Sequence, residues 1–366
     1  MEFLLANFKS TGVFIIVLSI LILVHEWGHF IVAKRVGVRV ERFSLGFGPK
    51  LWSKMHQGTE YLLCLIPLGG YVKMAGDERL ECKGTPDEFF SKAPGQRAQI
   101  VLTGPVVNVI LAYICFVFVF ILGYPDLSAK VGGLVDGYPA QKAGLQVDDK
   151  ILTINNVKIG NWTELQKAVK DSSSQKIAVT LLRGKQELAV TLDSRVEERK
   201  NIFGQHQKVQ LIGIRPKDDV VLLKYSVGES FVKAYQKLAE IVVTTYKSFY
   251  FMITGSLSVK DSVTGPIGIF YIIKSAAEMG LTHVLFILGV ISTSLAIFNL
   301  LPVIPLDGGH LFFLGIEKIR GKALSEKTEE WIGRIGFSLI ICLAIFVFYS
   351  DFARFGWIEK LKHLIR

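Results

Sequence analysis

"LVHEWGHF", residues 23–30, is the stretch that decides the fold. It sets two histidines four positions apart, with a glutamate directly after the first. The fourteen residues that end at Val24, "TGVFIIVLSILILV", carry no charge. On a helix His25 and His29 share one face, one turn apart, where both imidazoles reach one metal ion. Glu26 is close enough to touch water at that ion without ligating it. Zinc lowers the pKa of such a water to about 7, and a neighbouring carboxylate takes its proton and passes it on. A charged group inside a span costs about 2.5–3.5 kcal/mol even on lenient insertion scales. Three ionisable groups in five residues therefore need a purpose, and metal-assisted hydrolysis supplies one.

Composition extends the membrane reading to the whole chain. Its 366 residues are 50% hydrophobic, and the mean hydropathy is +0.40. That is too apolar for an ordinary soluble enzyme. A span needs roughly 20 mostly apolar residues. Residues 10–33, 100–122 and 281–303 qualify, and 335–349 does so once 331–334 are added. The opening "MEFLLANFKS" lacks the basic start of a cleavable signal peptide, and no small-residue cleavage site follows the apolar run.

Charge placement sets an orientation. Lys34, Arg35, Arg39, Arg42, Lys50 and Lys54 follow the first span, whereas only Lys9 precedes it. Lys318, Arg320, Lys322 and Lys327 lie between the third and fourth spans. Positive flanks stay cytoplasmic, so both loops are expected inside and both ends outside. Arg354, Lys360, Lys362 and Arg366 in the C-terminal tail, 351–366, run against that rule. The net charge of +10 reflects these flanks; with no basic–aromatic motif, no nucleic-acid partner is expected. Cys64, Cys82, Cys115 and Cys342 form no C-x-x-C and none falls in the external part, so no disulfide framework is expected.

Residues 123–222 are polar and read as a separate unit of short strands, "DKILTINN", "KIAVTLLRG" and "QELAVTLDS", with one helix in "NWTELQKAVKD" capped by Asn161. Residues 223–280 follow as an amphipathic interfacial segment.

Catalytic zinc takes three protein ligands and leaves a fourth position for water. The third should lie at the cytoplasmic depth of His25 and His29. The third span ends there in "FNLLPVIPLDGGH", 298–310, where two prolines must break the helix. Asp307 and His310 are both candidates. Asn299 is either a donor to substrate backbone or a helix cap. Asn108, a polar residue in the second span, either touches substrate or pairs with a neighbouring helix.

These stretches together resemble the bacterial site-2 proteases, intramembrane zinc metalloproteases of the regulator-of-sigma-E protease type, over nearly the whole chain. "VHEWGHF" resembles the family's zinc-binding helix, "GPVVN" (104–108) its second-span motif, and "NLLPVIPLDGGHL" its asparagine–proline–LDG motif. The resemblance implies Zn2+ held by His25, His29 and Asp307, with Glu26 as general acid/base. "GVRVERFSLGFGPKLW" and "TEYLLCLIPLGGYVKM" resemble its membrane-associated β-hairpin. That hairpin, in the cytoplasmic loop 34–99, would pair with an unwound substrate near Gly46, Gly48, Gly69 and Gly70. "VGGLV" and "GYPAQKAGLQVDDKILTINNVKI" resemble a PDZ domain, with Gly132, Gly133 and Leu134 in its peptide-binding loop. Well-known members carry two such domains in tandem; 123–222 has room for one.

The fold class expected is an α-helical polytopic membrane protein, with four transmembrane helices, a membrane-associated β-hairpin and an inserted extracytoplasmic α+β PDZ domain. The function implied is cleavage of single-span membrane proteins within the bilayer of the bacterial inner membrane, such as an anti-sigma factor or remnant signal peptides. Peptide or protein termini are further partners at the PDZ domain. The alternative is a non-catalytic PDZ adaptor, which would not need the His-Glu-x-x-His and LDG residues.

Overall fold

The computed structural model describes residues 2–172, 174–201 and 205–354. The expectations about Lys360, Lys362 and Arg366 lie outside them. The described chain forms two compact units.

The first unit draws on Met1–Val119, Ser230–Tyr246 and Val259–Arg366. Helix α1 (Glu2–Arg35) runs without Pro and stops at Gly37, whose φ of +74° a side chain would resist. Strands β1 (Val40–His56) and β2 (Thr59–Met74) follow. They fold into more than a plain hairpin: Ser44 is paired with both Tyr71 and Leu62, while Ser53 is also paired with Leu62. Helix α2 (Pro94–Leu122) opens on a proline, which the first turn tolerates, and carries Pro105 inside.

Further along, α5 (Val227–Ile253) is followed by a one-turn α6 (Val259–Ser262), α7 (Pro266–Met279), α8 (Leu281–Asn299), α9 (Asp307–Arg320) and α10 (Glu326–Arg354). The buried side chains Val17 and Leu21 of α1, Cys115 of α2, Ile273 of α7 and Leu288 of α8 form one core. A second cluster, Ala33, Val38, Val40 and Ile100, ties the end of α1 to β1 and α2. Among the described residues four helices are long and apolar enough to cross a membrane: Ser10–Arg35, Pro94–Leu122, Leu281–Asn299 and Lys327–Arg354.

Two boundaries differ from expectation. The third span ends at Asn299, not 303, because Pro302 cannot continue the helix and restricts the residue before it. Residues 311–320, expected within a cytoplasmic turn at 311–330, belong with 307–310 to α9. Its first two glycines are accommodated by close packing: a Cβ on Gly309 would lie 2.6 Å from the Ile304 nitrogen, and one on Gly308 would strike the Leu300 carbonyl. The segment 223–280 is also more than one amphipathic run, since α7 buries Gly268, Ile273 and Ala276.

The second unit draws on Phe120–Glu229 and Lys247–Ser258. It holds β3 (Tyr124–Leu127), β4 (Val131–Leu134), a one-turn α3 (Pro139–Lys142), β5 (Lys150–Ile154), β6 (Val157–Lys158), α4 (Trp162–Lys170), β7 (Lys176–Arg183) and β8 (Gln186–Asp193). Strands β9 (Arg195–Lys200), β10 (His206–Leu211), β11 (Ile214–Pro216) and β12 (Val220–Leu223) complete it. The largest sheet is antiparallel in the order β6-β5-β7-β8. Alternation along β7 buries Ile177, Val179 and Leu181 against Trp162, Leu165 and Val169 of α4, each fully buried aliphatic side chain contributing about 1.5–3 kcal/mol. Asn161 caps α4 as expected, its side chain accepting from the Glu164 amide at 2.7 Å.

Candidate metal centre

His25 and His29 occupy successive turns of α1, and both are buried. Their rings meet edge to face, with centroids 4.7 Å apart. The Nε2 atoms are 3.1 Å apart. Asp307 reaches them from the first residue of α9, with Oδ2 3.2 Å from His25 Nε2 and Oδ1 3.6 Å from His29 Nε2. One donor atom from each of the three lies within 4.8 Å of the other two. Among the described residues this is the one His/Cys/Asp/Glu group arranged to hold a metal ion.

The donor set fits zinc. His29 Nδ1 lies 2.9 Å from the Ile100 carbonyl, which can only accept, so the ring proton sits there and Nε2 is left bare. Asp307 Oδ2 is buried without a hydrogen-bond partner. Two imidazole nitrogens and a carboxylate oxygen converging in a buried place suit a tetrahedral cation with one position open.

Loop packing puts Asp307 there. The 300–304 segment lies against Gly308 and Gly309, and a Cβ on Gly336 of α10 would strike the Ile304 carbonyl. His310, the other candidate of the sequence, is not in the group. It lines a second cavity with His29, Asp307, Lys73, Asp77 and Glu78. Burial holds its imidazole below the ordinary range although Asp307 pulls the other way.

The centre opens on a cavity of about 450 Å3, walled by Glu26, Phe47, Gly69, Gly70, Tyr71, Leu295, Asn299 and Leu306 besides the three donors. Glu26 shares this wall with Val72 of β2. Gly70 lets β2 approach: a Cβ there would lie 2.8 Å from the Ser44 carbonyl and 3.0 Å from Ile22 of α1. Gly69 faces the Phe47 ring. Gly46, at φ +90°, lies against the Ile66 carbonyl, and Gly48, at φ +86°, has more room. Asn299 turns its amide nitrogen to 3.4 Å from His25 Nε2.

The matching of this chain to known proteins bears on the site directly. The description of peptidase family M50 matches residues 13–343, which takes in the histidine pair and Asp307. The chain belongs to peptidase family M50. It is similar to the regulator of sigma-E protease RseP of Escherichia coli, with 31% identity over 93% of this chain and 98% of that protein. A Campylobacter jejuni protein named as a zinc metalloprotease is 33% identical over 93% and 92%. Protease RseP of Yersinia pestis is 30% identical over 94% and 98%. The E. coli alignment runs over 447 positions although this chain has 366 residues, so that relative holds residues this one lacks. This M50 member is a membrane metalloprotease with zinc as its cofactor.

Three sets of expected residues are not among those lining the cavity, Gly46 and Gly48 being the first. Asn108 is fully buried, with its amide 3.2 Å from His25 Nδ1, and is not part of the cavity wall. Gly132, Gly133 and Leu134 lie in β4 of the second unit, where Gly133 is opposite Arg215 and Leu134 opposite Ile214. Val131 is bonded on its other side to residues 148 and 149. What sequence reasoning missed is mainly backbone: the Ile100 carbonyl leaves no sequence signal, whereas Gly104, whose Cβ would strike His29 Nε2, stands in the quoted "GPVVN".

Proposed function

We propose that this M50 protease cleaves the membrane-spanning segments of single-span proteins, in the bacterial inner membrane, with His25, His29 and Asp307 holding Zn2+. One observation carries the reading. Donors from α1 and α9 converge on a cavity that also exposes Glu26 and the backbone of β2.

Zinc, when bound, supplies the Lewis acid that makes water acidic and polarises the scissile carbonyl. Glu26 lies beside the centre without being one of the three donors. Its carboxylate takes the proton of the attacking water and delivers it to the leaving amide nitrogen. A helical substrate must unwind first, because its backbone groups are already paired. The stretch Gly69–Val72 in the cavity wall offers main chain with which an unwound segment pairs as an added strand. Asn299 holds the same segment through its amide.

The second unit is a single PDZ domain on the extracytoplasmic side, able to take an extended peptide or protein terminus, while the centre faces the cytoplasm. Its antiparallel strands around α4 support that reading, as do the Lys/Arg flanks of the spans. Zinc quantification, with cleavage of a synthetic transmembrane helix by the purified protein and by Glu26→Gln, tests the assignment. Zinc in both with cleavage only in the first is expected. Cleavage by both would refute it.

A further inference from the structure

The two histidines are backed by one helix. Ile100, Gly104 and Asn108 recur every four residues along α2, the spacing of His25 and His29 on α1. His29 gives its Nδ1 proton to the Ile100 carbonyl, which fixes the ring with Nε2 bare toward the centre. A Cβ at Gly104 would strike His29, and the missing side chain lets the two helices meet. His25 also faces the centre through Nε2, and its Nδ1 lies 3.2 Å from the Asn108 carboxamide.

That last contact has two possible senses. If the Asn108 nitrogen donates to Nδ1, a neutral His25 must carry its proton on Nε2, and that nitrogen cannot ligate. In this sense the Asn108 oxygen is also buried without a hydrogen-bond partner. A carboxamide keeps its outline when its ends are exchanged. Turned over, it brings the oxygen to Nδ1 and the ring proton to that side.

We propose that Asn108 is a positioning residue for the metal: its carboxamide oxygen accepts the Nδ1 proton of His25 and holds Nε2 bare toward zinc. The inference rests on His25 being a ligand. It gives Asn108 a role away from the substrate, which its full burial supports. Ser292 of α8 donates to the Asn108 carbonyl at 2.7 Å and anchors this turn of α2.

The test is zinc affinity of the purified full chain in detergent, by competition with a chelator. Asn108→Leu and Asn108→Ala should each weaken zinc about 10- to 100-fold. Asn108→Asp keeps an acceptor at the same place and should bind about as tightly as the wild type. Unchanged affinity in Leu and Ala, or an equal loss in Asp, overturns the proposal. His25→Ala separates the two ideas. If it too binds zinc normally, the ligand assignment has failed; if it alone loses zinc, only the role of Asn108 has failed. Should the variants not fold, the wild type decides. In the zinc-free protein, 15N shifts of His25 should place its proton on Nδ1, and a proton on Nε2 refutes the inference.

Discussion

Gly104→Ala is the sharpest perturbation the centre offers. The added methyl would lie 2.8 Å from His25 Cε1 and 3.0 Å would already be closer than real Cβ atoms come. It would press still closer on His29 Nε2, the atom proposed to hold zinc. Neither ring can retreat freely, since His29 is held by Ile100 and His25 by Asn108. α2 must therefore shift by several tenths of an ångström, while zinc sites tolerate about 0.2 Å in their ligand distances. Overpacking a tight interior costs about 1–3 kcal/mol. If that cost falls on the bound geometry, zinc weakens by about 5- to 150-fold.

Gly95→Ala is the matched control, because it lies on the same helix and a Cβ there meets nothing within 4 Å. Both variants would be titrated against a zinc chelator in detergent, with helicity as a check on folding. A Gly104→Ala protein that holds zinc as tightly as Gly95→Ala would refute the packing argument, since the methyl would then have found room.

Asp307→Asn should lose zinc and cleavage while His310→Ala keeps most of both; metal content and a cleavage gel on each variant decide, and the reverse pattern would move the third ligand to His310. Glu26→Gln should keep its zinc and lose proteolysis, because only proton transfer is removed; turnover near the wild-type rate sinks the mechanism. In the second unit, burial pushes the Asp149 carboxyl up, but the Arg183 guanidinium and the Gln146 amide hold it below the ordinary carboxylate value. The stability from this contact is thus present at pH above the ordinary carboxylate value and is lost as pH falls through it toward the lower folded value. Arg183→Leu leaves a buried carboxylate unpaired and should cost about 3–5 kcal/mol at pH 7, read as faster hydrogen exchange of β5 and β7 in the full chain; the difference should shrink in acid, and equal exchange at both pH values contradicts it.

The histidine pair was legible because two rules collide there: ionisable residues avoid spans, and a four-residue spacing puts ligands on one face. The proposed third ligand was not legible from spacing alone. Asp307 and His310 are three residues apart, and the choice depends on where α9 begins. That start is set by Gly308 and Gly309 packing on 300–304, a tertiary contact invisible to local propensity. The same packing starts a helix that runs on through 311–320, where a turn between the third and fourth spans was expected. Strand β9 was missed because "RVEERK" shows almost no apolar alternation; its pairing with β10 supplies what its own side chains do not. Asn108 was visible as a polar residue in a span, but its partner, 83 positions away, was not.

How a water-using site survives in α1 follows from which faces are covered. Ile16, Leu23 and Trp27 are exposed along one stripe of the helix. His25 and His29 are buried on other faces, toward α2 and α9. Glu26 meets β2, where a Cβ on Gly70 would lie 3.4 Å from its Cγ. The histidines of "HEWGH" therefore find partners in protein, not in hydrocarbon: a carbonyl and a carboxamide from α2 and a carboxylate from α9. Each partner answers one of the desolvation costs that an isolated helix of this sequence would carry. The glycines at 70 and 104 let β2 and α2 come close to the helix, and this ties the hydrolytic site to the close packing of its neighbours.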